Sequence, residues 1–312
     1  MLNLDLIRMI GTPEEQIPLI LEYEERFGAQ VAGFARDYML EDTLPACVPY
    51  DDDTQRSNAH ISCKAAVGKA TALSDTPPEQ AMLAYLFWLH CLPYLYRFYK
   101  LLGLDENLFS ASLQDLNYKF RECRKVKGYP GVFVDWFFLF TELKLFAFGR
   151  LQFELVRYSY ESYTAGGYTL RKGDPVYSIH IPSCGPLTRE SCFDAFRKAY
   201  AFFKKDLPGT VMPILTHSWL LYPPYWGVTF PTDSNVGKFA SMFDVVHVNP
   251  TPEFGDCWNV FGMEYPGSTD TLPADTGMRR RFIDYINRGG TYGWASGVLL
   301  YDGENGKLIN RP

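Results

Sequence analysis

Two short stretches of this 312-residue chain bring imidazole, hydroxyl and thiol side chains close enough to do chemistry together. One is Ser178-Ile-His180-Ile-Pro-Ser-Cys184-Gly185-Pro-Leu-Thr188, and the other is Leu215-Thr-His217-Ser218-Trp219. An imidazole titrates near neutrality, so His180 and His217 could each take or give a proton under physiological conditions. Strand alternation puts Ser178 and His180 on one face, and His217 with Trp219 on one face opposite Ser218. Cys184 precedes a helix start, where the positive dipole end favours a thiolate, and His180 could assist it as a nucleophile. Each feature also has a plainer reading: a histidine beside aromatics is often a hydrogen-bonded core residue, and a free cysteine a small apolar filler. His60-Ile-Ser-Cys63 holds metal-ligand residue types without a second pair, so no metal site is expected.

The elements that must position these residues follow from periodicity and punctuation. From Arg150 to Leu155 polar and apolar residues alternate, with Arg150, Gln152 and Glu154 on one side. That pattern predicts a half-buried strand whose polar side is either solvated or the wall of a cleft. Ala165-Gly166-Gly167 predicts a turn, and Pro175–Ile181 and Val211–Leu221 predict further strands. Between them Thr188 caps a helix to about Lys205, with Phe193, Phe196, Ala199, Tyr200 and Phe203 on one stripe. Ser234 is expected to cap a helix to about Val245. A strand near Trp258–Glu264, a helix over Asp275–Arg288 and a strand over Ser296–Tyr301 follow. Such alternation is mixed α/β (α+β), not a bundle or a sandwich. In open sheets of this kind, ligands collect beyond the carboxyl ends of the strands, where helix N-termini point.

Residues 1–130 read as a helical domain and 131–312 as the α/β domain. Thr12-Pro13-Glu14-Glu15 opens a helix expected to end at Gly28, and Thr76-Pro77-Pro78-Glu79 opens one through Leu102, kinked at Pro93 and stopped by Gly103. Another spans Asp105–Lys127 before Gly128. Leu44–Ser74, with Pro45, Pro49 and the acidic run Asp51–Asp53, reads as a loop or weakly ordered strands. Val132–Phe148 reads as a buried helix joining the halves.

Composition narrows the partners. Apolar residues make up 47% and aromatics 16% of the chain, enough for a sizeable core, and the formal charge is −6. Phosphate backbones and anionic membranes call for a basic face, so neither nucleic acid nor membrane is expected as a partner. The start MLNLDLIRMIGTPEEQ lacks the basic and long apolar regions of a secretory signal. The apolar run Ala81–Leu101 contains His90, Pro93, Arg97 and Lys100, which lipid penalises, so it reads as a buried helix. Seven scattered cysteines without a C-x-x-C pair point to reduced thiols and a cytoplasmic setting.

Taken in order, several segments resemble a known family. They are Gly149-Arg-Leu-Gln-Phe-Glu-Leu155, Ser178-Ile-His-Ile-Pro182 with Gly185-Pro-Leu187, Ser218-Trp-Leu-Leu221, Ser234-Asn235, and Leu272-Pro-Ala-Asp-Thr276 followed by Arg279–Arg281. The chain resembles bacterial acyltransferase-domain proteins that pair a helical N-terminal domain with a C-terminal domain like that of the GNAT N-acyltransferases. The resemblance implies acetyl-CoA or another acyl-CoA as cosubstrate, no metal, and a small-molecule amine or a peptide as acceptor. It implies a pyrophosphate cradle at Cys184, Gly185, Leu187, Thr188 and Arg189, the turn and helix start after the central strand. Pro186 removes one N–H from that turn, and Glu190 adds a negative charge where phosphate would lie. The chemistry that fits is direct attack of an amine on the thioester, and position and chemistry, not a family motif, assign Glu154 or His180 to take the amine proton. Tyr222 or Tyr225 would return one to the thiolate, and His217 stands in the same cleft. An alternative is a degenerate GNAT-like binding module in which the aromatic loop Trp219–Trp226 holds a ligand. A third route passes through an acyl-Cys184 intermediate.

Overall fold

A computed structural model describes residues 1–40 and 49–311. The chain forms two compact units, Met1–Ala147 and Phe148–Pro312. The expected boundary at 130/131 falls earlier than this division. Pro45 and Cys47, within the segment expected as loop or strand, lie outside the described residues.

The first unit is helical: α1 (Leu4–Met9), α2 (Ile17–Leu40), α3 (Asp53–Thr71), α4 (Pro77–Leu101), α5 (Glu106–Leu113), α6 (Asp115–Lys127) and the single turn α7 (Phe138–Thr141). The chain crosses into the second unit along β1 (Leu145–Phe148). Helix α4 is the centre of the first unit, buried nearly all round from Ala81 to Leu92, and packs against α2 and α3. That burial accounts for its apolar run. Among the described residues no helix is long and apolar enough to cross a membrane.

Four expectations for this unit change. Helix α2 does not stop at Gly28 but continues to Leu40. A β-carbon at residue 28 would lie 2.3 Å from Glu24 Oε2, the atom paired with His90 Nε2 at 2.8 Å. The glycine is a clearance for that buried pair and not a helix stop. From Asp53 onward the expected loop or strand is helix α3, started by Asp52, whose carboxylate accepts from the Gln55 N–H at 2.8 Å. The helix expected over Asp105–Lys127 is two, broken at Gln114. The joining helix expected over Val132–Phe148 is absent. Leu143 sits at φ 51°, a left-handed conformation no α-helix passes through, and the chain turns from α7 into β1.

The second unit contains β2 (Leu151–Arg157), β3 (Tyr163–Ala165), β4 (Tyr168–Leu170), β5 (Pro175–His180), α8 (Arg189–Phe203), β6 (Val211–Ser218), α9 (Asn235–Ala240), β7 (Asp244–Thr251), α10 (Cys257–Phe261), α11 (Gly277–Asn287), β8 (Tyr292–Asp302) and β9 (Lys307–Leu308). Strands β2-β5-β6-β8-β7 lie side by side, with β9 on β8. The β5–β6 pair is parallel, and the pairs β2–β5, β6–β8 and β7–β8 are antiparallel. Gly166 (φ 55°) and Gly167 (φ 79°) make the tight turn between β3 and β4, as their spacing predicts.

Helix α8 covers one sheet face with the predicted stripe: Phe196 meets Phe153 and Tyr301, and Phe203 meets Tyr177. On the opposite face Val176, Leu215, Val298 and Leu300 pack with Tyr158 and Leu170. Beyond that apolar patch, toward the carboxyl ends of β5 and β6, the same face turns polar.

Two later assignments are corrected. The helix capped by Ser234 ends at Ala240 rather than near Val245, and residues 244–251 are strand β7. Val245, Val246 and Val248 are stiff β-branched residues suited to pairing along the free edge of the long strand β8. Trp258–Glu264, expected as a strand, holds helix α10, closed by Gly262 at φ 73°. Short apolar runs fit both periods, and buried Val260 and Phe261 settle this one as a helical turn.

Candidate active site

Strand register assembles a polar row. Gln152 lies opposite His180 and Glu154 opposite Ser178. Ser178 lies opposite Leu215 in the parallel pair, His217 opposite Ser296, and Ser296 opposite His247. Cross-strand partners share a face, so these polar side chains stand on one side of the sheet. His180 and His217 each lie two residues beyond the register pair Ser178↔Leu215 on adjacent parallel strands, which makes them neighbours across that end. There the Thr216 hydroxyl donates to the Ile179 carbonyl at 3.3 Å, so a side chain serves a carbonyl on the neighbouring strand.

Glu154 is 3% exposed, and its Oε2 lies 2.7 Å from His180 Nε2. At Gln152 and Glu154 the polar side of β2 is therefore buried and not solvated. Against an ionised carboxylate, which only accepts hydrogen bonds, His180 would carry its proton on Nε2 and present the Nδ1 lone pair. His180 itself is partly exposed. The arrangement is that of a general base oriented by a carboxylate.

His217 belongs to a second cluster. Its Nδ1 lies 2.6 Å from Ser296 Oγ, and Ser296 Oγ lies 2.7 Å from the Tyr160 hydroxyl. The Tyr160 ring stacks on His247 at 5.4 Å, and Trp294 sets its ring against both His217 and His247 at 6.0 Å. Trp219, expected beside His217, leaves the strand in a short 3-10 turn and packs on Phe230 and Phe282. Tyr160, Ser296, His247 and Trp294 did not emerge from the sequence as site residues. Alternation along Trp294-Ala-Ser296 could have placed two of them on one face. His247 was hidden by the missing β7.

After β5 the chain makes the turn that carries the expected cradle. Arg150 organises it, donating from Nη1 to the Pro182 carbonyl at 2.7 Å and from Nε to the carbonyls of Gly185 at 3.0 Å and Pro186 at 3.2 Å. Cys184 lies within the same grip, its Sγ 3.5 Å from Arg150 Nη1. Gly185 adopts φ 140°, and a β-carbon there would meet open space. Leu187 is buried and anchors the turn. Thr188 caps α8 by accepting from the Ser191 N–H at 3.1 Å, and Arg189 lies exposed over the Phe193 ring. The cap occupies the Ser191 N–H, and of the first N–H groups of α8 those of Arg189 and Glu190 precede it. Glu190 now bears on that position: hydrogen bonds from its own backbone N–H and the Thr188 hydroxyl hold its carboxyl below the usual range. Its carboxylate is exposed and must swing aside before a phosphate could use those donors.

Tyr222 stands apart from both clusters. It is 2% exposed, its hydroxyl lies 2.9 Å from Thr291 Oγ1, and its ring fills the space beside Gly293. Tyr225 is buried among Tyr222, Phe230, Phe282 and Tyr285, and burial pushes its hydroxyl well above the ordinary tyrosine pKa. The structure brings Glu154 to His180, and gathers Cys184, Gly185, Leu187, Thr188 and Arg189 into one turn. Among the described residues no group of three or more His, Cys, Asp or Glu side chains is arranged to hold a metal ion. The described cysteines, Cys184 included, are free thiols.

Comparison with known families matches both units. The family model described as an N-acyltransferase N-terminal domain matches residues 5–143, and that described as a GNAT-like C-terminal domain matches residues 145–299. The chain belongs to this N-acyltransferase family. Both matches meet close to the division between the two compact units. Among solved structures, the family fold is shared with an acyltransferase mutant in complex with octanoyl-CoA, at TM-score 0.63 and 20% identity over 94% of this chain and 86% of that one. An acyltransferase in complex with decanoyl-CoA and teicoplanin is similar at TM-score 0.59 and 19% identity, over 96% and 99% of the two chains. Among curated proteins none matches.

Proposed function

We propose that the chain transfers an acyl group from a CoA thioester to an amine by direct attack. The observation that carries this reading is the buried Glu154 carboxylate bonded at 2.7 Å to His180 at the carboxyl end of the parallel strand pair. Family membership supports it, as do the octanoyl-CoA and decanoyl-CoA bound to structures of the same fold. In the reaction the amine nitrogen bonds to the thioester carbonyl carbon, the carbon–sulfur bond breaks, and sulfur leaves with the electron pair. The amine proton passes to His180 Nδ1, and Glu154 stabilises the imidazolium that forms. The departing thiolate then takes up a proton. CoA pyrophosphate would sit on the turn Cys184–Arg189 with Arg150 holding the turn from behind, once Glu190 has moved. Teicoplanin on one structural relative makes an amine on a small molecule or peptide the acceptor class to try first.

Ligand that binds only the native state raises the melting temperature, by about 2.7 kcal/mol of stability at a hundredfold excess over Kd. Acetyl-, octanoyl- and decanoyl-CoA should each be titrated, then assayed for thiol release with aminosugars, amino acids and short peptides. A melting temperature unmoved by millimolar acyl-CoA would refute the reading. An acyl adduct on Cys184 would replace direct attack with a covalent route. The non-catalytic alternative needs an aromatic cleft at Trp219–Trp226. Tyr222 and Tyr225, the rings at its centre, are core residues.

A further inference from the structure

The two histidines of the polar row have opposite kinds of partner. His180 faces a carboxylate, which has no proton to give, through Nε2. His217 faces a hydroxyl through Nδ1. That hydroxyl belongs to Ser296, which is fully buried and has a second neighbour in the Tyr160 hydroxyl at 2.7 Å. A serine hydroxyl has one proton to donate and lone pairs to receive others. The Tyr160 proton has two nearby acceptors, Ser296 Oγ at 2.7 Å and His217 Nδ1 at 3.4 Å. With that proton on the shorter contact, the Ser296 proton goes to His217 Nδ1; the reverse order would instead put a proton on His217 Nδ1. Taken in the first order, the neutral hydroxyls form a directed chain, Tyr160 to Ser296 to His217, whose end places the imidazole proton on Nε2. The rings of His247 and Trp294 hold Tyr160 and His217 in orientation.

We infer that Tyr160 and Ser296 hold His217 as the Nε2–H tautomer, and that His217 donates this proton to the departing CoA thiolate. Resting on the acyl-transfer reading, the inference gives that reaction its missing acid. The polar row then presents a lone pair at His180 and an N–H at His217, side by side on adjacent parallel strands. One serves the incoming amine and the other the outgoing sulfur. The balance is complete: His217 Nε2 gives its proton to sulfur, His217 Nδ1 takes one from Ser296, and Ser296 takes one from Tyr160. The resulting phenolate is reprotonated from solvent. The proton released by the amine rests on His180. His217 is the catalytic donor, and Ser296 and Tyr160 are positioning residues.

Two measurements on the full chain decide the matter. Imidazole nitrogen NMR on ¹⁵N-histidine-labelled protein at neutral pH should show His217 protonated at Nε2 and unprotonated at Nδ1. Ser296→Ala and Tyr160→Phe should move its signals toward a mixture of tautomers, with His180 unchanged. A wild-type His217 protonated at Nδ1, or signals indifferent to Ser296→Ala, overturns the inference. The second measurement compares octanoyl-CoA with the octanoyl ester of thionitrobenzoate, whose thiolate leaves without help. His217→Gln should lower kcat about 100-fold with octanoyl-CoA while KM stays within about threefold, and lower it under about tenfold with the activated ester. Equal losses on both esters, or an octanoyl adduct on Ser296, overturn the donor role. If the wild-type chain turns over neither ester with any amine, acyl transfer and the donor role fall together. The NMR result separates that outcome from an error in the tautomer alone.

Discussion

Replacing Glu154 with glutamine keeps the side chain's shape and removes what the reaction needs from it. The carboxylate is 3% exposed and lies 2.7 Å from His180 Nε2. An amide there can present its NH₂ to that nitrogen, which drives the histidine proton to Nδ1 and occupies the lone pair that should accept the amine proton. It also removes the negative charge that stabilises the imidazolium once formed. Losing a positioned general base typically lowers rate by about 10²–10⁴. A partly exposed histidine retains some help from water, so the lower part of that range applies. A fall of about 100- to 1,000-fold in kcat is expected, or about 2.7–4 kcal/mol of barrier. The assay is single-turnover thiol release from octanoyl-CoA with an amine that the wild-type chain accepts. The acyl-CoA-induced rise in melting temperature serves as the control for folding and binding. That rise should persist in Glu154→Gln, and KM should stay within about threefold. A kcat within fivefold of wild type would refute the base assignment. So would an equal loss of binding and rate, because Glu154 would then hold the cleft's shape and not its chemistry.

Three other outcomes follow from named contacts. Arg150→Met keeps an apolar stem but loses the hydrogen bonds to the carbonyls of Pro182, Gly185 and Pro186. It should lower stability by about 1–2 kcal/mol and at least halve the CoA-induced melting shift, as read by thermal denaturation with and without CoA. Gly131→Ala should destabilise the helical unit by about 3 kcal/mol or more in urea titrations. The residue adopts φ 128°, and a β-carbon would lie 2.3 Å from the Ala81 carbonyl carbon, which cannot yield without shifting α4. Asp256→Asn should stabilise the chain at pH 7.5 and leave it unchanged at pH 4. Burial raises the Asp256 carboxyl to about 6, so its stabilising share is full below about 4 and is lost as pH rises through about 6. Such a shift is worth at most about 3 kcal/mol, and its partial contact with water reduces that to about 1–2 kcal/mol. Equal melting temperatures at both pH values would contradict it.

Much of the fold can be read from local chemistry. Thr188 announces α8, Thr76 with Pro77 announces α4, Gly166-Gly167 announces a tight hairpin, and the alternation after Arg150 announces β2. In each the deciding interaction lies within a few residues of the signal: a capping hydroxyl, a proline ring at a helix start, a glycine at positive φ. Where the deciding contact is distant, the reading fails. Gly28 resembles a helix stop until Glu24 and His90 are seen to need its space. Residues 244–251 resemble the end of a helix until the edge of β8 is there to pair with them.

The candidate site divides in the same way. The sequence alone determined that His180 and Ser178 share a face at the end of a strand, that Glu154 belongs to the polar side of β2, and that Thr188 begins a helix behind a glycine turn. These follow from the two-residue repeat of strands and from capping, which act locally. Only the tertiary structure decided that Glu154 meets His180, that His217 meets Ser296 from a strand 79 residues away, and that Tyr160 completes that chain. It also decided that Tyr222 is a core residue. Strand order and register lie behind each of these decisions, and they are set by packing over the whole sheet, which no local pattern encodes.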